Sequence, residues 1–370
     1  MSVEQVVTRE QLAEFVALPL RLHDQARYVP TLQPQIEGWY AGEHAQAGHG
    51  PVRMYLCRDA GGTVVGRTCL HHNAAFDDKL GADVQLFGLT EFADGCALAE
   101  LVALVRREAR AAGRTDLFGP AALLPNQTGG VITSGFGQRG FVDSPWNPDS
   151  YPGAYESMGF TRAFEGQTWL CGGFADLVPA ETFVFDDVRI RQEGLAICRG
   201  NRRRLGAQLP VLRRMLNAAF APLPYYTRIG AAELAEQTDG LAFLLDESLL
   251  LWLTRRGEPV AFVLVVPDVS EFVMARGGRL GLRDQLELLA TRQRYHRDAV
   301  LVIKGTVPWA QGHGYLTLLS RVLLENLQRG GYRSLRSTFV GHENPASAAQ
   351  FARMGGRPLH GTTFYRMTVR

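Results

Sequence analysis

Two spacings of apolar residues alternate along this chain, and their succession occurs twice. In the first half, apolar positions at helical spacing predict a helix over residues 9–18, with Thr8 as its N-cap. A loop over 27–37 carries Pro30 and Pro34. Residues 52–58 and 63–71 flank the turn Asp59-Ala60-Gly61-Gly62 and predict a β-hairpin. A strand over 84–89 leads to a helix over 97–112, with Leu98, Leu101, Val102 and Val105 on one face. Gly113 ends that helix, 116–119 forms a strand, and a short helix over 152–158 stops at Gly159-Phe160. The glycine- and proline-rich stretch 120–151 predicts a long ordered excursion that either covers a cleft or braces an interface.

The second half follows the same order. A short strand is expected over 187–192, then a helix over 208–219 closed by Pro222 and Pro224, and another over 231–237. Strands 249–254 and 260–267 flank Arg256-Gly257-Glu258-Pro259 as a second hairpin. An insertion over 268–297 contains an amphipathic helix near 282–290. Strands over 299–304, 334–340 and 362–368 follow, with a helix over 344–354 closed by Gly355-Gly356. Helix, hairpin, strand, helix, strand and short helix ending at glycine thus recur, which points to tandem duplication of an α/β or α+β layer fold. The length of 370 residues fits two domains, 1–180 and 181–370.

Composition narrows the functional classes. A net charge of +2 gives no general attraction to nucleic acid or membrane, and neither is expected as a partner. The five cysteines are scattered without metal-ligand spacing, and His71-His72 lacks a third ligand, so no metal site is expected. No apolar run approaches membrane-spanning length, and the expected location is the cytoplasm. Among 39 cationic residues only Lys79 and Lys304 are lysines. Lys304, at the end of an apolar strand, is read as snorkelling or paired. The basic patch 199–204 is read as a solvated helix entry.

The densest chemistry lies in Val300–Leu327, an apolar β-branched run followed by Gln311-Gly312-His313-Gly314 and a leucine-rich helix. Strand, glycine loop, helix is an arrangement that aims unpaired backbone N–H groups at an anion. This loop, with the preceding hairpin and the following Asn344-Pro345-Ala346-Ser347 helix, resembles the GCN5-related N-acetyltransferase (GNAT) superfamily. The resemblance implies two tandem GNAT-like domains, each a mixed, mostly antiparallel twisted sheet flanked by helices. The first is degenerate: after Leu89 it reads Thr90-Glu91-Phe92-Ala93-Asp94-Gly95, without the glycine loop.

That resemblance further implies an N-acyltransferase in which acetyl-CoA or another acyl-CoA donates to a small-molecule amine. Thr306, Val307, Gln311, Gly312, His313, Gly314, Tyr315 and Asn344 are the expected cofactor-binding residues, with a strand splay beside Ile303 admitting the pantetheine arm. The chain departs from the pattern at Leu316, where a smaller residue is usual, at Phe351, where a tyrosine acid is frequent, and in lacking a glutamate over 299–304. Tyr365, His342 and Asp298 are the expected catalytic substitutes, with Glu343 beside them. Two further readings keep the fold: transfer from an acyl carrier protein or aminoacyl-tRNA, with 199–204 meeting an acidic carrier, and a binding protein without turnover.

Overall fold

The protein is described by a computed structural model covering residues 1–124, 128–239, 245–295 and 297–369. Residues 125–127 of the long excursion and residue 296 of the insertion lie outside this set.

The first half opens with β1 (Ser2–Gln5), α1 (Arg9–Leu22) and α2 (Gln33–Ala41). Thr8 and Gln11 close α1 with a reciprocal capping box. α2 lies where a loop was expected, because Pro34 occupies the first turn of a helix, where its missing N–H costs nothing. Then come β2 (Arg53–Arg58), β3 (Val64–His71), α3 (Ala74–Leu80), β4 (Val84–Phe92), α4 (Gly95–Ala111) and β5 (Asp116–Gly119). Short strands β6 (Ala121–Ala122), β7 (Thr128–Gly129) and β8 (Val131–Ile132) precede α5 (Ser150–Ser157) and β9 (Thr161–Gly172).

The second half contains α6 (Pro179–Thr182), α7 (Asp187–Gln192), β10 (Leu195–Arg199), α8 (Leu205–Phe220) and α9 (Ala231–Asp239). The strand expected over 187–192 is α7: Asp186 accepts a hydrogen bond from Val188 N and starts a helix. The strand itself comes after Gly194, whose φ of 61° turns the chain. β11 (Leu250–Arg255), β12 (Glu258–Pro267), α10 (Ser270–Ala275), α11 (Leu282–Thr291) and β13 (Asp298–Thr306) follow. α12 (Tyr315–Arg329), β14 (Ser334–Gly341), α13 (Pro345–Arg353) and β15 (Arg357–Thr368) complete the chain.

One sheet runs through both halves, in the order β1-β2-β3-β4-β5-β15-β9-β14-β13-β12-β11-β10, with β8 against β15. The two terminal strands of the halves are exchanged. β9, from the first half, lies antiparallel on β14 of the second, and β15 lies antiparallel on β5 of the first. β9 and β15 pair with each other across the centre. Strand partners therefore cross residue 180, and each half completes the other's sheet.

Within each half one parallel pair interrupts the antiparallel order. β4 and β5 pair from Val84↔Asp116 to Leu86↔Phe118. β13 and β14 pair from Asp298↔Ser334 to Leu301↔Ser337. Beyond those rungs both pairs separate. A register shift between Leu264 and Val265 leaves Val302 without a cross-strand partner in β12, and this bulge bends β13 where it leaves β14. The residues of 128–151 brace the halves: Phe141 packs with Val266, Val300 and Leu359, and Val142 N donates to Ser270 Oγ at 3.0 Å. Arg139 and Arg336 both bind the buried Asp268 carboxylate at 3.0 Å.

Candidate functional site

At the end of β13 the chain passes through the turn Pro308–Ala310 and reaches Gly314 in the left-handed region, φ 76°. Only glycine adopts this without strain, and it lets α12 start abruptly. No side chain caps α12. Its first intrahelical bonds run from Thr317 N and Leu318 N to Gly314 O. Among the described residues no acceptor meets the N–H groups of Gly312, His313, Gly314, Tyr315 or Leu316. These donors, reinforced by the helix dipole, are free to meet an anion. Gly312 carries φ 79° and has nothing within 4 Å of its missing Cβ, so a bulky ligand can approach closely.

Beneath the loop, Arg189 stacks on Phe185 and donates to Glu193 Oε1 at 2.6 Å and to His313 O at 3.1 Å. Tyr315 is buried, and its hydroxyl donates to Glu193, which with Arg189 holds that carboxyl below its usual range. The Tyr315 side chain is thus structural, and only its N–H faces the site. Val307 N donates to Val260 O at 2.9 Å within the sheet, so it is unavailable to a ligand. Gln311 Nε2 reaches back to Thr306 O at 3.4 Å, fixing the loop's entry. His313 is exposed, with Nδ1 on Gln311 O. Leu316 is partly buried against the second-half core.

The splay between β13 and β14 leads inward from this loop. Thr338 Oγ1 donates to Val302 O at 2.8 Å where the strands part. Lys304 stands in the gap, on the side of α13. Its Nζ donates to Gln350 Oε1 at 2.8 Å and lies 3.9 Å from the centroid of the Phe351 ring. Phe351, in turn, stacks on Trp169 of the exchanged strand β9. No carboxylate lies within 4 Å of Lys304 among the described residues. Burial in these surroundings pushes its ammonium down to about 7. The sequence reads Lys304 as snorkelling or paired; in the fold its partner is the neutral Gln350 and not a carboxylate, and the one signal that set it apart was that the chain uses arginine almost everywhere else.

The opposite face of β13 belongs to α8. A Cβ on Gly305 would come within 3.0 Å of Ala219 and 3.2 Å of Phe220. Beside it, Tyr225 packs edge-on against Phe339 of β14, and its hydroxyl lies 3.5 Å from Glu343 Oε1. Burial, with Glu343 nearby, raises the Tyr225 phenol. His342 and Glu343 are exposed at the end of β14, and Asn344 caps α13 by accepting from Ser347 N at 3.2 Å. Because β13 and β14 are parallel, these three residues share the end of the sheet that carries the glycine loop.

Two expected catalytic residues are elsewhere. Asp298 begins β13, where it accepts from Ser334 Oγ. Eight residues at about 3.3 Å each put it roughly 26 Å from Thr306 along the strand. Tyr365 is fully buried in the first-half core, stacked on Tyr155, with its hydroxyl on Pro152 O and Glu156 Oε1. The strand exchange carries β15 away from the glycine loop, which proximity in sequence did not reveal. Tyr365→Phe is expected to leave acetyl-CoA affinity within about twofold and to cost about 1 kcal/mol of stability, read by calorimetry and thermal unfolding.

The equivalent place in the first half is filled. Asp94 Oδ1 accepts from Ala97 N at 2.9 Å, so a protein carboxylate already occupies the start of α4. Tyr151 stacks on Phe92 at 3.9 Å, and its hydroxyl lies 3.1 Å from Glu91 Oε2. His23 Nε2 is 2.6 Å from the same carboxylate oxygen. His71 rests on Leu123 O, and burial pushes its imidazole down to about 4. His72 pairs with Asp77.

No family model matches the chain. Protein YghO of Escherichia coli (strain K12) is 22% identical over 282 residues, covering 75% of this chain and 71% of that protein. The bacterial ceramide synthase of Caulobacter vibrioides (strain NA1000 / CB15N) is 23% identical over 284 residues, or 76% and 73% of the two chains. Among solved structures, the tandem GNAT protein from the clavulanic acid biosynthesis pathway has a TM-score of 0.58 at 15% identity, over 100% of this chain and 98% of its own. A GCN5-related N-acetyltransferase from Sphaerobacter thermophilus gives 0.55 at 11% identity, over 100% and 96%. The glucosamine N-acetyltransferase region of a fungal multi-domain β-N-acetylglucosaminidase gives 0.60 at 12% identity, over 99% of this chain and 38% of that one. At these identities the likeness is one of fold, and the chain has the tandem GNAT fold.

Proposed function

We propose that this protein transfers an acyl group from acetyl-CoA or another acyl-CoA to the amine of a small molecule, using the second-half site. The observation that carries this is the uncapped start of α12 at the open end of a splayed parallel pair. The free N–H groups from Gly312 to Leu316 suit a diphosphate, and the gap beside Lys304 suits an extended thioester arm.

The chemistry is direct displacement. The neutral amine attacks the thioester carbonyl, a C–N bond forms, the C–S bond breaks, and the thiolate takes a proton. Phe351 cannot supply that proton, whereas the Lys304 ammonium over its ring can. We assign Lys304 as the acid. The proton shed by the attacking nitrogen passes to Glu343 or His342 at the strand end, or to water. Lys304 then regains its proton from solvent. Backbone N–H groups on the strand edges freed by the splay face the developing oxyanion.

The direct test is calorimetric titration of the full chain with acetyl-CoA and longer acyl-CoAs, followed by thiol release with a panel of amines. Saturable 1:1 binding is expected. Absence of binding to every acyl-CoA would overturn the proposal and favour the carrier-protein, aminoacyl-tRNA or non-catalytic readings.

A further inference from the structure

A cleft of about 520 Å³ opens between α3 of the first half and α8 of the second. Its walls include Lys79, Arg213, Arg214 and Arg228, with Asp78 as the one acidic side chain among the lining residues. Among the described residues no carboxylate lies within 4 Å of any of these four cations. The cleft is held in shape by its own walls. Lys79 Nζ donates to Ala221 O at 2.6 Å, joining the halves, and Tyr226 OH donates to Asn217 Oδ1 at 2.8 Å. Asn217 Oδ1 also accepts from Ile229 N, fixing the segment that carries Arg228.

Its position matters as much as its charge. Ala218 and Ala221 line the cleft, while their neighbours Ala219 and Phe220 press on Gly305 in the splay. Tyr226 lines it, while Tyr225 packs on Phe339 and Glu343 at the mouth of the splay. The cleft therefore opens on the α8 face, opposite the side on which Lys304 and α13 meet. Uncompensated cations around a concave site that excludes part of the solvent attract an anion, and guanidinium groups present donors matched to phosphate or carboxylate oxygens.

We propose that this cleft binds an anionic group, phosphate or carboxylate, on the acceptor, so that the substrates are small amines bearing a negative charge. That the bound group belongs to an acceptor rests on the acyltransferase reading, but the binding can be measured without turnover. Titration with ethanolamine phosphate, β-alanine and ethanolamine compares one amine function with a phosphate, a carboxylate and no charge. At least one anionic amine is expected to bind at least tenfold more tightly than ethanolamine, and the tighter of the two identifies the group. Arg213→Glu/Arg228→Glu is expected to weaken that binding at least tenfold, and the milder Arg213→Gln/Arg228→Gln several-fold. Raising NaCl from about 50 to about 500 mM should weaken it as well.

Equal affinity for ethanolamine, or unchanged affinity in both double variants with thermal unfolding like the wild type, would overturn the proposal. Inorganic phosphate binding as tightly as ethanolamine phosphate would leave an anion site without an amine acceptor and would also overturn it. If acetyl-CoA fails to bind while the anionic amine binds through Arg213 and Arg228, the acyltransferase reading falls and the cleft stands.

Discussion

Gly314→Trp is expected to abolish measurable acetyl-CoA binding, with affinity falling at least 100-fold. Two effects combine. The φ of 76° at Gly314 suits glycine alone, so any side chain strains the turn by about 1 kcal/mol. The indole then stands among the N–H groups of residues 312–316, where a diphosphate must approach within hydrogen-bond distance. Gly314→Ala separates the two. A Cβ at 314 would lie 3.8 Å from the Phe185 ring, an ordinary contact, so alanine carries the strain without the obstruction. Its affinity should fall less than tenfold, with a similar drop in unfolding temperature for both variants. Wild type and Gly314→Trp binding acetyl-CoA equally would show that the start of α12 is not the diphosphate site.

The loop was legible in the sequence because its chemistry is local. An apolar strand, two glycines two residues apart and an amphipathic helix specify where backbone donors are left unpaired, whatever surrounds them. The duplicated order of elements was legible for the same reason, since hairpins and helices are set by short-range periodicity. Non-local pairing was not. The alternation within β15 marks a strand but not the edge it joins, and β9 was missed altogether. Both leave their own half, and Tyr365 leaves with β15. A family motif located the frequent acid position at 351, but only the fold shows what stands over its phenylalanine. Lys304 and Gln350 are 46 residues apart in sequence and meet because α13 returns over the splay.

The closed site in the first half supports the same division. The α4 start has Asp94 where the α12 start has Gly314, and an aspartate that caps its own helix both satisfies the donors and repels a diphosphate. The first half contributes to the second-half site by other means. Trp169 of β9 backs Phe351, and Lys79 of α3 fixes the end of α8. The strand exchange thus makes the second-half site depend on residues of both repeats.

Lys304→Met should give opposite changes in turnover and stability. As the proposed proton donor to the departing thiolate, Lys304 is expected to be worth a factor of about 10² in kcat for thiol release, with acetyl-CoA affinity little altered in the variant. With a weakly basic acceptor already neutral at pH 6, wild-type kcat should fall as pH rises through about 7, where Lys304 loses its proton. The methionine variant should lack that limb and remain slow throughout. Stability follows from the same displaced titration. In the unfolded chain the lysine titrates near 10.4, and in the fold near 7. Below pH 7 both states are protonated, and the folded state carries the penalty of a partly desolvated ammonium. Between about 7 and 10.4 the unfolded chain holds a proton that the folded one has released, so wild-type stability rises with pH. Methionine removes the penalty, so the variant should unfold about 2 °C or more above wild type at pH 6, with the gap closing toward pH 10. Unchanged kcat across this range, or mass spectra showing stoichiometric acetylation of Lys304, would remove it from the role of acid; in the second case the amine is acting as nucleophile.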